Sequence, residues 1–208
     1  MKLGSYTINV SCGSMPQKVA SGFSACFGPL VGAEYEPLAY LGSKVVNGTN
    51  HAILAKQTLI TGKDVKNIVL IVLNEKPGDV TGDAFTVVSI EPVLSDTGLM
   101  GGYSISPTAD IPAEAKAAFD KAFQGFLGSN VKPFMMLATK VVKGFEYVFA
   151  AEASMVVSPT AMKAGGTKSV AIVKVFSDFS EISIDTLIEG QGVDANGTAL
   201  GAPLGEWP

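Results

Sequence analysis

Three side chains in this sequence are of the types from which catalysis is most often built: Cys12, Cys26 and His51. A Cys–His pair works when the imidazole draws the thiol proton and leaves a thiolate nucleophile. Nothing around either cysteine resembles a nucleophile signature. His51 is the one histidine in the chain, so a histidine-based zinc site would have to recruit carboxylates or both cysteines, and no ligand spacing supports that. Paired carboxylates, a phosphate-cradling glycine loop and a nucleophile elbow are all absent. The expectation is a non-enzymatic chain with no cofactor and no metal. The cysteines stand 14 residues apart and are expected to be free thiols.

Charge narrows the partners. All 15 basic residues are lysine, and the net charge is −4. Without arginine there is no bidentate fork for phosphate or guanine, so nucleic acid is not an expected partner. The chain has 208 residues, 47% of them hydrophobic, enough for packed cores. No apolar run reaches the roughly 18 residues of a spanning helix, and no membrane partner is expected. Met1–Tyr6 lacks the apolar stretch of a signal peptide. The chain as given is expected to be soluble and cytoplasmic, although a chain trimmed of its leader would look the same.

The elements that must position these residues come in two copies. At an offset of 96 the sequence aligns with itself without gaps from residue 15 to 57, and 11 of those 43 pairs are identical. They include Pro16/Pro112, Phe23/Phe119, Phe27/Phe123, Pro37/Pro133 and the run Lys44-Val45-Val46/Lys140-Val141-Val142, with Gly48/Gly144. One residue of slippage upstream matches Gly4-Ser5-Tyr6 to Gly101-Gly102-Tyr103. A period this long marks two domains rather than a solenoid. Ser95-Asp96-Thr97-Gly98 marks the boundary. The expected organisation is repeat 1 over 1–97, repeat 2 over 98–190 and a Gly- and Pro-rich flexible tail over 191–208.

Each repeat should open with a short extended segment and continue into a helix. Ser14 is the expected cap, with Pro16 as first helical residue, and Val19, Phe23, Phe27 and Leu30/Val31 fall on one face. Phe119, Phe123, Phe126 and Leu127 form the matching face of repeat 2. Strands rich in Val, Ile and Thr are expected over 36–46, 50–61, 66–74 and 84–93, then over 132–142, 146–157, 168–177 and 180–188. Asn47-Gly48 reads as a type I′ hairpin turn. A helix followed by consecutive hairpins predicts the α+β class, each unit being a helix packed across one face of an antiparallel sheet.

Lys44-Val45-Val46-Asn47-Gly48-Thr49-Asn50-His51 resembles the first binding hairpin of the cystatin and stefin family, whose pattern is Gln-Val-Val-Ala-Gly. Lys140-Val141-Val142-Lys143-Gly144-Phe145-Glu146-Tyr147 is similar to it. Gly4 and Gly101-Gly102 stand where the family has a glycine before its first strand, and Pro77-Gly78 stands where its second hairpin lies. Lys44 and Lys140 replace the family's Gln, and neither second hairpin has its Trp. The resemblance spans both repeats and implies two tandem cystatin-like units. It also implies reversible inhibition of papain-like cysteine proteases by an amino-terminal segment and two hairpin tips. The implied contact residues in repeat 1 are Leu3, Gly4, Lys44, Val45, Val46, Asn47, Gly48, Pro77 and Gly78. In repeat 2 they are Gly101, Gly102, Lys140, Val141, Val142, Lys143 and Gly144, with Lys143 and the missing proline making that half the weaker one. The alternative is a non-catalytic binding or assembly module without inhibitory activity.

Overall fold

The computed structural model describes residues 6–60, 64–78, 84–96, 102–126, 129–155 and 168–178, together with the backbone of 182–185, 192–193 and 199–200. The chain divides into two compact units at residues 99 and 100.

The first unit is an antiparallel meander of five strands: β1 (Thr7–Cys12), β2 (Ala33–Val46), β3 (Gly48–Ile60), β4 (Asp64–Glu75) and β5 (Phe85–Ser95). Helix α1 (Gln17–Phe27) lies between β1 and β2. The second unit repeats the plan with β6 (Ser104–Thr108), α2 (Ala113–Ala122), β7 (Ser129–Val141), β8 (Gly144–Met155), β9 (Lys168–Asp178) and β10 (Ile182–Asp185). Two short strands, β11 (Gly192–Val193) and β12 (Ala199–Leu200), pair with each other; the rest of the expected flexible tail lies outside the described residues.

The repeat extends to the irregularities of the backbone. Strand pairing slips between Pro37 and Ala39 and between Tyr40 and Gly42, and again between Pro133 and Met135 and between Met136 and Ala138. Those positions differ by 96, the sequence offset. The slip between Ile8 and Ser11 returns between Ile105 and Thr108, one residue out of step, as in the sequence. Bulges of this kind bend a strand and increase its twist, so both sheets bend at the same places.

The expected fold class is corrected by the proportions. Strands of 11 to 14 residues dominate, against helices of 11 and 10 residues. A helix of that length is about 16 Å long, and the longer strands run for about 40 Å. A helix therefore covers less than half the length of its sheet. One face of the first sheet carries Val19, Phe23 and Phe27 of α1 against Tyr40, Ile53, Ala55, Val69, Ile71 and Leu73. Burial does not alternate along the strands, however. Leu38–Leu41, Ala52–Ala55 and Ile68–Leu73 are consecutively buried, as are Met135–Ala138 and Val148–Ala151. Such runs belong to sheets covered on both faces, whereas a helix on one side of a sheet accounts for only one. The chain is a mainly β protein with two antiparallel sheets, not a pair of α+β cystatin-like helix-across-sheet units.

Local details differ as well. Pro16 is the residue before α1 rather than its first, and no side chain caps that end; Ser14 bonds Ser11 instead, at 2.7 Å. Leu30 and Val31 lie beyond the helix, 49% and 100% exposed, because the chain has turned towards Gly32 in the left-handed region at φ 97°. Among the described residues no helix is long and apolar enough to cross a membrane.

Candidate site at the hairpin end of the first sheet

Three segments of the first unit reach the same end of its sheet. Thr7, at the start of β1, is opposite Ser43 near the end of β2. Val46 is opposite Gly48 across the β2–β3 turn, and Thr49 is opposite Glu75 at the end of β4. The connection from β4 to β5 begins there and is closed by Lys76 N–H donating to the Ala84 carbonyl at 3.1 Å. Lys44, Val45, Val46, Asn47, Gly48, Pro77 and Gly78 therefore gather in one region. Leu3 and Gly4 lie outside the described residues; their nearest described neighbour is Tyr6, whose ring has the Lys44 ammonium 5.7 Å from its centre.

The tip is tighter than a type I′ turn. No described residue other than glycine has positive φ, so Asn47 does not take the left-handed conformation that turn demands at its first position. Gly48 alone does, at φ 102°. A Cβ there would overlap the Glu75 carbonyl oxygen and would lie 3.3 Å from Pro77 Cδ. Gly48 is thus required twice, by its dihedral angle and by the closeness of β4.

The tip projects apolar side chains into water. Val45 is 65% exposed and Val46 41%, and in the second unit Val141 is 69% and Val142 44% exposed. Phe145 stands beside them, 43% exposed and stacked towards Tyr147. Lys140 repeats the Lys44 arrangement, its ammonium 5.4 Å from the Tyr103 ring centre. Lys174 shares that ring at 4.9 Å, and Glu146 accepts a hydrogen bond from the Tyr103 hydroxyl. Val142 N–H donates to Gly144 O at 3.0 Å, leaving Lys143 exposed at the tip. Gly102 precedes Tyr103 at the sheet end, and Gly101 lies outside the described residues.

Beneath the first tip runs a polar chain that residue spacing does not reveal. Tyr40 Oη and His51 Nδ1 are 3.0 Å apart, His51 Nε2 and Glu75 Oε2 3.1 Å, and Lys18 Nζ lies 2.6 Å from Glu75 Oε1. A carboxylate only accepts, so Nε2 carries the ring proton and Nδ1 accepts from the Tyr40 hydroxyl. Burial lowers the His51 pKa below its usual value, and the Glu75 carboxylate only partly opposes that. Lys18 holds the Glu75 carboxyl below the ordinary range, with His51 adding to the effect against burial. Strand register brings Tyr40, His51 and Glu75 together from β2, β3 and β4, and the packing of α1 on the sheet adds Lys18. In the second unit Met136, Tyr147 and Ser177 occupy the positions of Tyr40, His51 and Glu75, so the chain of groups belongs to the first unit alone.

The cysteines stand apart from this network. Both ring nitrogens of His51 are taken by Tyr40 and Glu75. Cys26 Sγ points to the Phe85 carbonyl at 3.7 Å. Burial pushes both thiols up in pKa, the reverse of what a nucleophile needs. Neither forms a disulfide, as the sequence led us to expect. Among the described residues no cluster of His, Cys, Asp and Glu could hold a metal ion. A separate apolar groove of about 470 Å³ runs along α1 and β2, lined by Phe23, Phe27, Tyr35 and Leu30 among others; none of the tip residues borders it.

Searches of known protein families, curated proteins and solved structures find no match to this chain. The likeness of the hairpins to cystatins therefore rests on the residues that carry it.

Proposed function

We propose that the protein is a non-catalytic binding module that engages a protein partner through its hairpin tips. One observation carries this reading: the same apolar pair, Val45-Val46 and Val141-Val142, stands exposed at the same turn in both units. A turn with no task beyond reversing the chain favours Gly, Asn, Asp and Ser. Exposed β-branched side chains have few rotamers to lose on binding, and a turn fixed by Gly48 is already ordered. Two such tips on one chain could act bivalently. A reducing compartment such as the cytoplasm suits a chain whose two cysteines form no disulfide.

Within this reading, the partner we propose is the active-site cleft of a papain-like cysteine protease. What favours it is the convergence of the β1 start, the β2–β3 turn and the β4–β5 connection at one sheet end, the disposition a three-pronged wedge needs. The first unit should dominate. Asn47 is short and can satisfy itself within a turn, whereas Lys143 would lose its hydration in a cleft.

Titrating papain with the full chain tests the protease reading. Inhibition that weakens at least tenfold in Val45→Asp, and less in Val141→Asp, is the expected result. An untouched protease at high micromolar concentration removes the protease and leaves the binding module. The module itself fails if lysate proteins retained by the full chain are retained equally by the Val45→Asp/Val141→Asp double variant.

A further inference from the structure

We propose that His51 is a proton-operated latch on the β2–β3 turn: when its imidazole takes up a proton, the turn loses its seat on β4. The consequence for partner binding rests on the function proposed above; the latch itself does not.

Glu75 makes the connection. Its side chain receives His51 and Lys18, and its backbone carbonyl is the surface against which Gly48 packs. His51 lies three residues from Gly48 on the same strand and is opposite Ser43 on β2. Among the described residues, the charged and titratable groups facing His51 are Tyr40 from β2, Glu75 from β4 and Lys18 from α1. From β5 it meets the Phe85 ring, 5.9 Å away between centres.

In the neutral ring every donor has an acceptor. Tyr40 O–H donates to Nδ1, and Nε2–H donates to Glu75. A proton added at Nδ1 makes the imidazolium a donor at both nitrogens. Tyr40 must then turn its own proton away, with the Ser43 side chain as its other partner. Glu75 must serve two cations, Lys18 and His51, inside a site where His51 is 7% exposed. The arrangement resists the proton, as the lowered His51 pKa reflects. It yields by letting the strand end open so that the imidazolium meets water, and the Gly48 seat opens with it.

Nuclear magnetic resonance of the full chain from pH 8 to 5 tests this. The Val46 and Gly48 amides should shift with the same midpoint as the His51 ring, below the usual histidine value of about 6.5. Solvent exchange at Gly48 should gain up to about tenfold per pH unit over its ordinary trend, since one proton is linked. The Gly144 amide should show no such midpoint. His51→Gln should hold Gly48 fixed throughout. Glu75→Gln keeps the imidazole, and with the carboxylate gone both midpoints should move down together; that variant decides the matter if His51→Gln fails to fold. A Gly48 amide that stays fixed while His51 titrates, or that still titrates in His51→Gln, overturns the latch. An intact latch in a chain that binds no partner at any pH overturns the binding reading alone.

Discussion

Gly48 and Gly78 both lie in the left-handed region, at φ 102° and 77°, yet they differ in what surrounds them. A Cβ at Gly78 meets nothing within 4 Å, while one at Gly48 meets the β4 backbone. Gly78→Ala should therefore cost only the left-handed penalty, roughly 1–2 kcal/mol. Gly48→Ala should cost at least about 1 kcal/mol more, because a carbonyl oxygen cannot move aside as a side-chain end can. Urea midpoints of the two variants check this ordering. His51 adds a pH dependence whose sign is fixed. Its folded pKa lies below the ordinary value, so the unfolded chain binds the proton first as pH falls. Stability is full above the ordinary histidine value, about 6.5, and declines towards the depressed one, by at most about 1.4 kcal/mol per pH unit. Glu75, also depressed, adds loss in the same direction at lower pH. His51→Gln should flatten the urea midpoint between pH 7 and 5. A midpoint in the parent chain that rises with acidification would contradict both assignments.

The helix shows how the two repeats diverged in packing. Gly22 in the middle of α1 ought to be a weakness, since alanine is favoured there by about 1 kcal/mol, and the second repeat does carry Ala118, 4% exposed. In the first unit, however, a Cβ at Gly22 would run into the Phe85 ring. Gly22→Ala should thus destabilise the chain, by about 1–3 kcal/mol less the propensity gain. Phe85→Leu should relieve that overlap, so that the double variant costs less than the sum of the single ones. Thermal unfolding of the four proteins checks it; additive losses would mean that the ring moves freely. The phenylalanine stripe itself was legible from spacing, since Val19, Phe23 and Phe27 recur with the helical period and are buried together. The end of the helix was not. Leu30 and Val31 continue the period, but the chain leaves the helix before it reaches them.

At the scale of the molecule, the two thiols and the single histidine give simple readouts. Alkylation under denaturant without reductant should add two groups, one each at Cys12 and Cys26; mass spectrometry finding none would show a disulfide. The internal repeat was fully visible as an offset of 96 in the residues, and it returns as the same bulges at the same offset. Strands and turns followed from β-branched runs broken by Gly, Pro and Asn, and the exposed valines of the tips were already marked by their place in Val-Val-x-Gly. The balance of the fold was not visible. Consecutive apolar residues such as Ile68–Leu73 mark a buried strand without showing what covers it, and it is the balance of long strands against two short helices that makes the chain a mainly β protein. Nor could residue order unite Lys18, Tyr40, His51 and Glu75. They are up to 57 residues apart, and their meeting depends on strand register, which a shift of one residue would reverse to the opposite face. Local propensity and periodicity act over a few residues and are written in the sequence itself; the choice of covering layers and of side-chain partners is made between segments, and only the folded chain decides it.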